Sequence, residues 1–285
     1  MADFEERWRS RVGGSARTVG VIGWPVEESL SPLIHNTAFI ALGLEWVYVP
    51  LPVEPGRLSD ALAGLTALGF AGANVTMPHK TETADLLGEL SEDAARLRAV
   101  NTLVRTPDGL VGHNTDAPGF ERFLAEDAGF DAAGRIALVL GGGGAARACA
   151  LALARSGVAE IVVALRHPAR AEELRAAVSG FETTLEVVPF NEAARREADL
   201  VVNATPLGSD GEELPLPRLT PETLVVDLLY RPTVTPLQVT AKEAGAAAFG
   251  GLGLLLHQAA LSFELWTGQP APLAAMSAAA LAELS

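Results

Sequence analysis

The sequence predicts an α/β protein of two domains, the second of which is a doubly wound parallel sheet. Three observations support this prediction. The chain has 285 residues, near the length at which one hydrophobic core stops growing and a second domain is expected. Short runs rich in Val, Ile and Leu alternate with helical patterns along most of it, as in α/β folds. With 49% apolar and 20% charged residues, the composition is that of a globular chain.

The first half of the chain contains three predicted strands and a hairpin. The strands are VGVIGW at 19–24, WVYVPL at 46–51 and GANVTM at 72–77. Residues 101–116, NTLVRTPDGLVGHNTD, contain two alternating segments separated by Pro107-Asp108-Gly109, residue types that favour a tight turn. We therefore expect an antiparallel hairpin in this stretch.

The second half contains six further predicted strands, each separated from the next by a helical pattern or a loop. They are RIALVLG, EIVVALR, LEVVPF, DLVVNAT, LVVDLLY and AAAFGG. Strands separated by helices of this length pair in parallel with right-handed crossovers. Residues 118–251 are therefore predicted to form the doubly wound domain.

Charge and hydropathy exclude two classes of partner. The formal net charge of -14 would repel nucleic acids and anionic membrane surfaces, so neither is expected to bind. Residues 246–266 are strongly apolar, but His257, Gln258 and Glu264 interrupt them where a lipid bilayer would penalise polar groups. A buried core helix after a glycine turn is the better interpretation.

The cysteine and histidine residues bear on the cellular compartment and on metal binding. Cys149 is the single cysteine, so no intrachain disulfide can form and a cytoplasmic location is expected. Because it stands in an Ala/Leu stretch, we interpret it as a packing residue rather than a reactive thiol. The five histidines show no spacing typical of metal ligands, so no metal site is predicted.

A glycine-rich loop predicts a dinucleotide site in the second domain. The strand RIALVLG runs into GGGAA and then an alanine-rich helix, which matches G-x-G-x-x-A. Gly141 would make the tight turn, Gly143 would allow the backbone to approach a pyrophosphate, and Ala146 would let helix and strand pack closely. The backbone of Gly144 and Ala145 would offer N–H groups at the helix N-terminus. This context predicts a Rossmann-type dinucleotide-binding domain, although glycine loops also occur as plain turns.

The end of the next strand predicts the type of dinucleotide. An NAD site usually has an acidic residue about 20 residues after the glycines, whereas an NADP site presents arginine to the 2′-phosphate. Here Arg166, His167 and Arg170 follow the strand, with no carboxylate. This favours NADP, the alternative being that both arginines are solvated loop charges.

Lysine is rare in this chain, and one of its lysines follows a predicted strand. Of 21 basic residues, only Lys80 and Lys242 are lysine. An ammonium can release its proton in a suitable environment, whereas a guanidinium cannot. Lys80 is therefore a candidate for proton transfer.

Further polar residues stand at the predicted strand ends and helix starts. Ser29 and Ser31 precede a helical pattern in which Ser31 is the expected cap and Pro32 the first helical residue, a suitable place for a carboxylate. Other candidates at the strand and hairpin ends are Asn74, Thr76, Asn101 and Asp116. Such polar clusters suit a hydroxylated ligand. Plain helix capping by Ser31 and Asp116 is the alternative.

Taken together, these motifs resemble the shikimate dehydrogenase family over residues 19–285. The resemblance depends on the following ordered segments: SLSPLIHN (29–36), NVTMPHK (74–80), VNT (100–102), NTD (114–116), GGGGAAR (141–147), NATPLG (203–208), DLLY (227–230) and GLGLLLHQA (251–259). It implies a substrate-binding catalytic domain of residues 1–117, completed by helices in 252–285, with the cofactor domain between them and the ligand cleft between the domains.

The resemblance also implies an activity and a set of site residues. The activity is reversible reduction of 3-dehydroshikimate to shikimate by NADPH in aromatic amino acid biosynthesis. Ser29 and Ser31 would hold the carboxylate, and Lys80 and Asp116 would bracket the reacting hydroxyl, with Lys80 donating the proton. The implied contacts to the ring hydroxyls, or to the helix that closes on them, are Asn74, Thr76, Asn101 and Gln258. Tyr230, also an implied substrate contact, and Gly251 would line the cleft near the nicotinamide, and Thr205 is an implied cofactor contact.

One departure from the family pattern affects the cofactor site. The usual Asn-Arg-Thr after the second cofactor strand is Leu165-Arg166-His167 here, which retains the arginine and changes both neighbours. An NAD-using quinate/shikimate dehydrogenase therefore stays an alternative, as does a paralogue that binds cofactor without turnover. Water could also carry the proton, with Lys80 serving only to bind. The sequence leaves monomer or homodimer open.

Overall fold

The computed structural model describes residues 13–208 and 212–285. They form two compact units. The first contains the described residues up to Thr115 together with Gln258–Glu283, and the second contains Asp116–His257. The C-terminal helical residues therefore return to the first unit. Residues 1–12 of the predicted domain 1–117 lie outside the described residues.

Strands and helices alternate along the described chain. The strands are β1 Arg17–Gly23, β2 Trp46–Pro52, β3 Gly72–Val75, β4 Glu89–Leu90, β5 Thr102–Thr106, β6 Gly109–His113, β7 Ile136–Leu140, β8 Glu160–Leu165, β9 Thr184–Pro189, β10 Leu200–Asn203, β11 Leu224–Asp227 and β12 Ala247–Gly250. The α-helices are α1 Ser31–Ala41, α2 Leu58–Ala67, α3 Lys80–Leu86, α4 Glu92–Leu97, α5 Asp116–Glu126, α6 Gly144–Arg155, α7 Ala171–Val178, α8 Pro236–Glu243, α9 Leu252–Thr267 and α10 Leu273–Leu284. Two 3₁₀ segments occupy Pro168–Arg170 and Phe190–Arg195.

The first unit has a six-stranded mixed sheet in the order β2-β1-β3-β5-β6-β4. β1 pairs in parallel with β2 and β3, whereas β3 pairs antiparallel with β5. β5 and β6 form the expected hairpin, with Thr106 opposite Gly109 at its turn. Ile22, Val75 and Leu103 from three neighbouring strands are at most 1% exposed and belong to one apolar cluster. The ends of β3 and β5 therefore stand on a rigid core.

The second unit has a six-stranded parallel sheet in the order β12-β11-β10-β7-β8-β9. All four residues of β10 and of β11 are buried, as expected where helices cover both faces and the strands read as continuous apolar runs. The strand order reverses between β7 and β10. Ligands of doubly wound sheets bind outside the carboxyl ends of the strands at such a reversal, so the loops after these two strands mark the candidate site of this unit.

The apolar stretch 246–266 forms β12 and most of α9. Ala259 and Phe263 of α9 are fully buried, and the indole Nε1 of Trp266 donates to the carbonyl of Leu103 at 2.9 Å. Within the described residues, no helix is long and apolar enough to cross a membrane. Cys149 lies in α6 with 1% exposure, and burial raises the pKa of its thiol, so its predicted packing role is confirmed.

Candidate active site

The N-terminus of α1 holds the two predicted serines, but the expected cap was wrong by one residue. Ser31 is the first helical residue, and Leu30 occupies the cap position without a side-chain hydrogen bond. The hydroxyl of Ser29 accepts from the backbone N–H of Ser31 at 3.3 Å. Ser31 therefore lies inside the first turn of the helix, where its side chain stands beside the hydroxyl of Tyr48.

Asn74, Thr76 and Lys80 follow one another from the end of β3 into α3. Asn74 is buried within the strand, Thr76 directly follows it, and Lys80 is the first residue of α3. A turn joins them, since the N–H of His79 donates to the carbonyl of Thr76 at 3.0 Å. The carbonyl of Lys80 accepts from Val100 at 2.9 Å, so its backbone is fixed to the segment before β5.

Asn74 is the centre of a buried hydrogen-bond network. Its Oδ1 accepts from the hydroxyl of Tyr48 at 2.8 Å. Its Nδ2 lies 3.1 Å from each of three acceptors, which are the carbonyl of Asn101 and the hydroxyls of Thr102 and Ser262. Asn74 of β3 is therefore held in one orientation by β2, by the start of β5 and by α9.

Asn101 extends this network to Gln258. Its Nδ2 donates to Thr115 Oγ1 at 2.9 Å and lies 3.5 Å from Gln258 Oε1, and its Oδ1 accepts from the Thr115 N–H at 2.8 Å. The structure thus brings Asn74, Asn101 and Gln258 together. Sequence reasoning missed Tyr48, Thr102, Thr115 and Ser262 as members. Thr102 and Thr115 lie within the quoted motifs, and Ser262 lies one helical turn after Gln258, which were the available signals.

His35 is a second buried group that the sequence did not indicate. It is fully buried, and its ring stacks on Tyr48 with centroids 4.6 Å apart and planes 4° apart. Trp266 packs on it at 5.1 Å. Among the described residues, neither ring nitrogen has a hydrogen-bond partner. Burial lowers the pKa of His35 to about 3, so the ring is uncharged where it packs against Tyr48.

Asp116 belongs to the second unit and is the first residue of α5. It is half-buried. As the first residue of α5, Asp116 lies inside the first turn of the helix rather than before it. The helix dipole favours an acidic side chain in this turn. Its expected pairing with Lys80 stays a prediction.

The glycine loop joins β7 to α6 as predicted. Gly141 has a φ of +112°, in the region that favours glycine, and a side chain there would meet the Ala204 carbonyl oxygen at 3.0 Å. Ala146 is fully buried, as helix–strand packing requires. Sequence reasoning missed Gly142, where a Cβ would lie 2.6 Å from Leu165 Cδ2.

Gly143 and Gly144 differ from these two glycines because they have space around them. A Cβ at Gly143 would have the Arg170 Nη1 as its nearest neighbour at 3.6 Å, and one at Gly144 would meet Arg147 Nη2 only at 4.0 Å. Gly143 is the N-cap of α6 and provides no side-chain cap. The loop therefore leaves an open surface beside the first-turn N–H groups of α6, where the helix dipole favours an anion.

Arg166 and Arg170 stand exposed at the carboxyl end of β8. Arg170 Nη1 donates to the carbonyl of Gly142 at 3.4 Å. The Cζ of Arg166 lies 5.2 Å from the centre of the Phe190 ring, a residue that the sequence did not indicate. Leu165, which replaces the family's asparagine, is 4% exposed. Two guanidinium groups and the open glycine loop together fit a dinucleotide that carries an additional phosphate.

A buried pair of polar residues fixes the loops after β10 and β11. Asn203 Nδ2 donates to Asp227 Oδ1 at 3.0 Å, and Asn203 Oδ1 accepts from Thr205 Oγ1 at 2.7 Å. Asp227 also accepts from Thr235 Oγ1 at 2.7 Å. Burial raises the pKa of the Asp227 carboxyl, and these hydrogen bonds oppose the rise. Thr205 is thereby placed with its methyl group facing Gly141.

Tyr230 and Gly251 lie on the next two chain segments of this unit. The Gly251 N–H donates to the carbonyl of Leu229 at 2.9 Å. A Cβ at Gly251 would overlap the Leu228 carbonyl oxygen, so close backbone approach alone requires glycine here. Tyr230 is half-buried in the segment that follows β11.

Three family models match stretches of this chain. The family model of the shikimate dehydrogenase substrate binding domain matches residues 21–103, and that of the shikimate 5′-dehydrogenase C-terminal domain matches residues 251–281. The NADP oxidoreductase coenzyme F420-dependent model matches residues 135–230. A shikimate dehydrogenase (NADP(+)) from Geobacter metallireducens is 44% identical over 96% of this chain and 99% of its own. The chain belongs to the shikimate dehydrogenase family.

Solved structures of the shikimate dehydrogenase family share the fold. The enzyme from Thermus thermophilus, in complex with NADP(H) and shikimate, superposes with a TM-score of 0.84 at 38% identity, covering 93% of this chain and 99% of that one. A quinate dehydrogenase from Corynebacterium glutamicum in complex with NAD reaches a TM-score of 0.86 at 32% identity, covering 94% and 99%. Backbone likeness therefore does not separate the two specificities.

The family assignment confirms the predicted fold class and the predicted enzyme class. As a member of the shikimate dehydrogenase family, the chain is an NADP-dependent oxidoreductase with a small-molecule substrate. The roles of individual side chains stay predictions.

Proposed function

We propose that this chain catalyses the reversible NADPH-dependent reduction of 3-dehydroshikimate to shikimate, with the first unit binding the substrate and the second the cofactor. The observation that carries the proposal is the buried network of Asn74, Asn101 and Gln258, with Lys80 at the start of α3, in a chain 44% identical to a shikimate dehydrogenase (NADP(+)). Hydroxyl recognition needs polar groups of fixed orientation, and the network fixes two amide side chains.

In this proposal the substrate is held mainly by residues of β3, α1 and α9. Ser29 and Ser31 bind the carboxylate at the N-terminus of α1, where the helix dipole favours an anion. Asn74 and Asn101, whose side chains the network holds in place, orient ring hydroxyls. Thr76 and Gln258 complete the set of hydroxyl contacts.

Lys80 is proposed to transfer the proton. Reduction of a ketone places a proton on its oxygen, and an ammonium can donate that proton and take it back in the reverse direction. The carboxylate of Asp116 favours the protonated form of Lys80 and shares the hydrogen bonds of the reacting hydroxyl. Because Val100 binds the Lys80 carbonyl, the backbone from which this side chain extends is fixed.

The cofactor is proposed to lie along the glycine loop. Gly141, Gly143, Gly144 and Ala145 offer backbone to the pyrophosphate, and Arg166 and Arg170 bind the 2′-phosphate. Thr205, Tyr230 and Gly251 line the nicotinamide end. When bound, NADPH supplies the hydride that reduces the carbonyl carbon.

The test is a comparison of substrates and cofactors. Oxidation of shikimate and of quinate is followed by the absorbance of reduced nicotinamide, with NADP and with NAD at matched concentrations. We expect the highest kcat/KM for shikimate with NADP. A preference for quinate with NAD would favour the function of the Corynebacterium glutamicum neighbour, and cofactor binding without turnover of either acid would favour a non-catalytic role.

Location and assembly are proposed on compositional grounds. A single buried thiol suits a reducing compartment, and we propose that the enzyme acts in the cytoplasm as a monomer or homodimer. Size-exclusion chromatography with light scattering would decide between these two states.

A further inference from the structure

Arg166 and Phe190 are adjacent because of the strand register. β8 and β9 pair in parallel, and their last register pair is Leu165 with Pro189. Arg166 and Phe190 are the next residue on each strand. Their side chains meet, with the Arg166 guanidinium carbon 5.2 Å from the ring centroid, within the range of a cation–π contact.

The ring is held more firmly than the arginine. Phe190 is half-buried and packs against the apolar cluster that includes Leu138, Val162 and Val201. Arg166 is exposed, and a free arginine side chain loses considerable rotamer entropy when it is fixed. The ring therefore restricts a side chain that solvent would otherwise leave mobile.

No other contact fixes the Arg166 head group among residues 13–208 and 212–285. Leu165 is turned into the core with 4% exposure and offers no polar atom to it. Arg170, by contrast, hydrogen-bonds the glycine loop at the Gly142 carbonyl. The two guanidinium groups are thus ordered by different means, one by backbone and one by an aromatic face.

We infer that Phe190 is a positioning residue that strengthens the preference for NADP over NAD. This inference rests on the proposed binding of the 2′-phosphate by Arg166. The ring orders the guanidinium before the cofactor arrives, so the phosphate binds without the full entropic cost of fixing that side chain. NAD has no 2′-phosphate, so the ordering of the Arg166 side chain does not change its affinity. Phe190 thereby offsets the loss of the polar neighbour at position 165.

The first experiment measures cofactor binding directly. The full chain and its Phe190→Leu variant are titrated with NADP and with NAD by isothermal titration calorimetry. We expect Phe190→Leu to weaken NADP binding about two- to five-fold, the range of an exposed cation–π contact, with NAD binding unchanged. Phe190→Tyr keeps the aromatic face and should retain the wild-type ratio of the two affinities. Equal weakening of NADP and NAD by Phe190→Leu would overturn the inference.

A double-mutant cycle separates this inference from the proposed cofactor site. Arg166→Ala should weaken NADP about tenfold or more relative to NAD, and Phe190→Leu should then have no further effect on that ratio. Arg175→Ala, which removes an exposed charge from α7, is the control for net charge. If Arg166→Ala leaves the ratio unchanged, the 2′-phosphate assignment fails. If it changes the ratio but Phe190→Leu acts equally with and without Arg166, only the role of Phe190 fails.

Discussion

Replacing Tyr48 by Phe should destabilise the first unit although it removes only one oxygen atom. In the wild type, Asn74 Oδ1 accepts from the Tyr48 hydroxyl at 2.8 Å, and both side chains are at most 6% exposed. Tyr48→Phe leaves that buried oxygen without its donor. A buried acceptor that loses its partner costs about 1–3 kcal/mol, so we expect the free energy of unfolding to fall by about 2 kcal/mol.

Replacing Asn74 should lower the free energy of unfolding by less than the loss of its four contacts suggests, because some of its partners keep other hydrogen bonds. If Asn74 is removed, Thr102 and Ser262 still bond each other at 2.8 Å, and the Asn101 carbonyl still accepts from Val75 at 2.8 Å. A cycle of Tyr48→Phe with Asn74→Leu should therefore be non-additive, with a coupling of about 1–2 kcal/mol.

Urea unfolding followed by tryptophan fluorescence is suited to this measurement. Three of the four tryptophans, Trp24, Trp46 and Trp266, lie in the first unit, Trp8 lies outside the described residues, and residues 116–257 contain none. The signal therefore reports the first unit even if the two units unfold separately. Tyr230→Phe, the other tyrosine of the chain, is the matched control and should leave this transition in place. A loss below about 0.5 kcal/mol in Tyr48→Phe, or strict additivity in the cycle, would refute the reasoning.

Three further predictions concern proton transfer, the glycine loop and acid stability. Lys80→Ala and Lys80→Arg should both lower kcat by about 10²-fold or more with nearly unchanged NADP binding; a higher KM at normal kcat would show that Lys80 only binds. Gly142→Ala should lower the melting temperature, since its Cβ meets Leu165, whereas Gly143→Ala has open space and should weaken NADP binding about tenfold without loss of stability in the free protein. Differential scanning fluorimetry with and without NADP distinguishes the two glycine variants. Equal melting temperatures, without and with NADP, would contradict the loop geometry. For His35, the folded pKa is about 3 against 6.5 when unfolded, so the unfolded chain binds the extra proton between these values. The free energy of unfolding should fall as pH drops below 6.5, with a slope that approaches about 1.4 kcal/mol per pH unit near pH 5. His35→Phe should remove that fall in urea unfolding at pH 6.5 and 5, and an unchanged fall would rule out His35 as the cause.

The parallel sheet and the glycine loop could be predicted from the sequence because their signals are local. Strands such as β10 and β11 are buried on both faces and read as apolar runs, and Gly141 follows its strand directly. The hairpin was equally predictable from Pro107-Asp108-Gly109. In each case a few consecutive residues contain the information.

The buried hydrogen-bond network and the Arg166–Phe190 contact join residues that are distant in the sequence. The periodicity of apolar residues does not indicate such contacts. Asn74 and Ser262 are 188 residues apart, and nothing near either one indicates the other. Phe190 meets Arg166 only because of the register of β8 with β9. Ser31 is a residue type that favours the cap position, but the helix begins at Ser31 itself, one residue earlier than Pro32 indicates.

The return of the chain to its first unit has a consequence for synthesis on the ribosome. Residues 116–257 are contiguous, so every residue of this unit is synthesised before the helical residues that complete the first unit. The hydrogen bonds of Asn74 to Ser262 and of Leu103 to Trp266 can form only after these later residues have been synthesised. The unit whose synthesis begins first is therefore completed last, and a chain that ended at His257 would contain all of Asp116–His257 but lack the residues of α9 that complete the first unit.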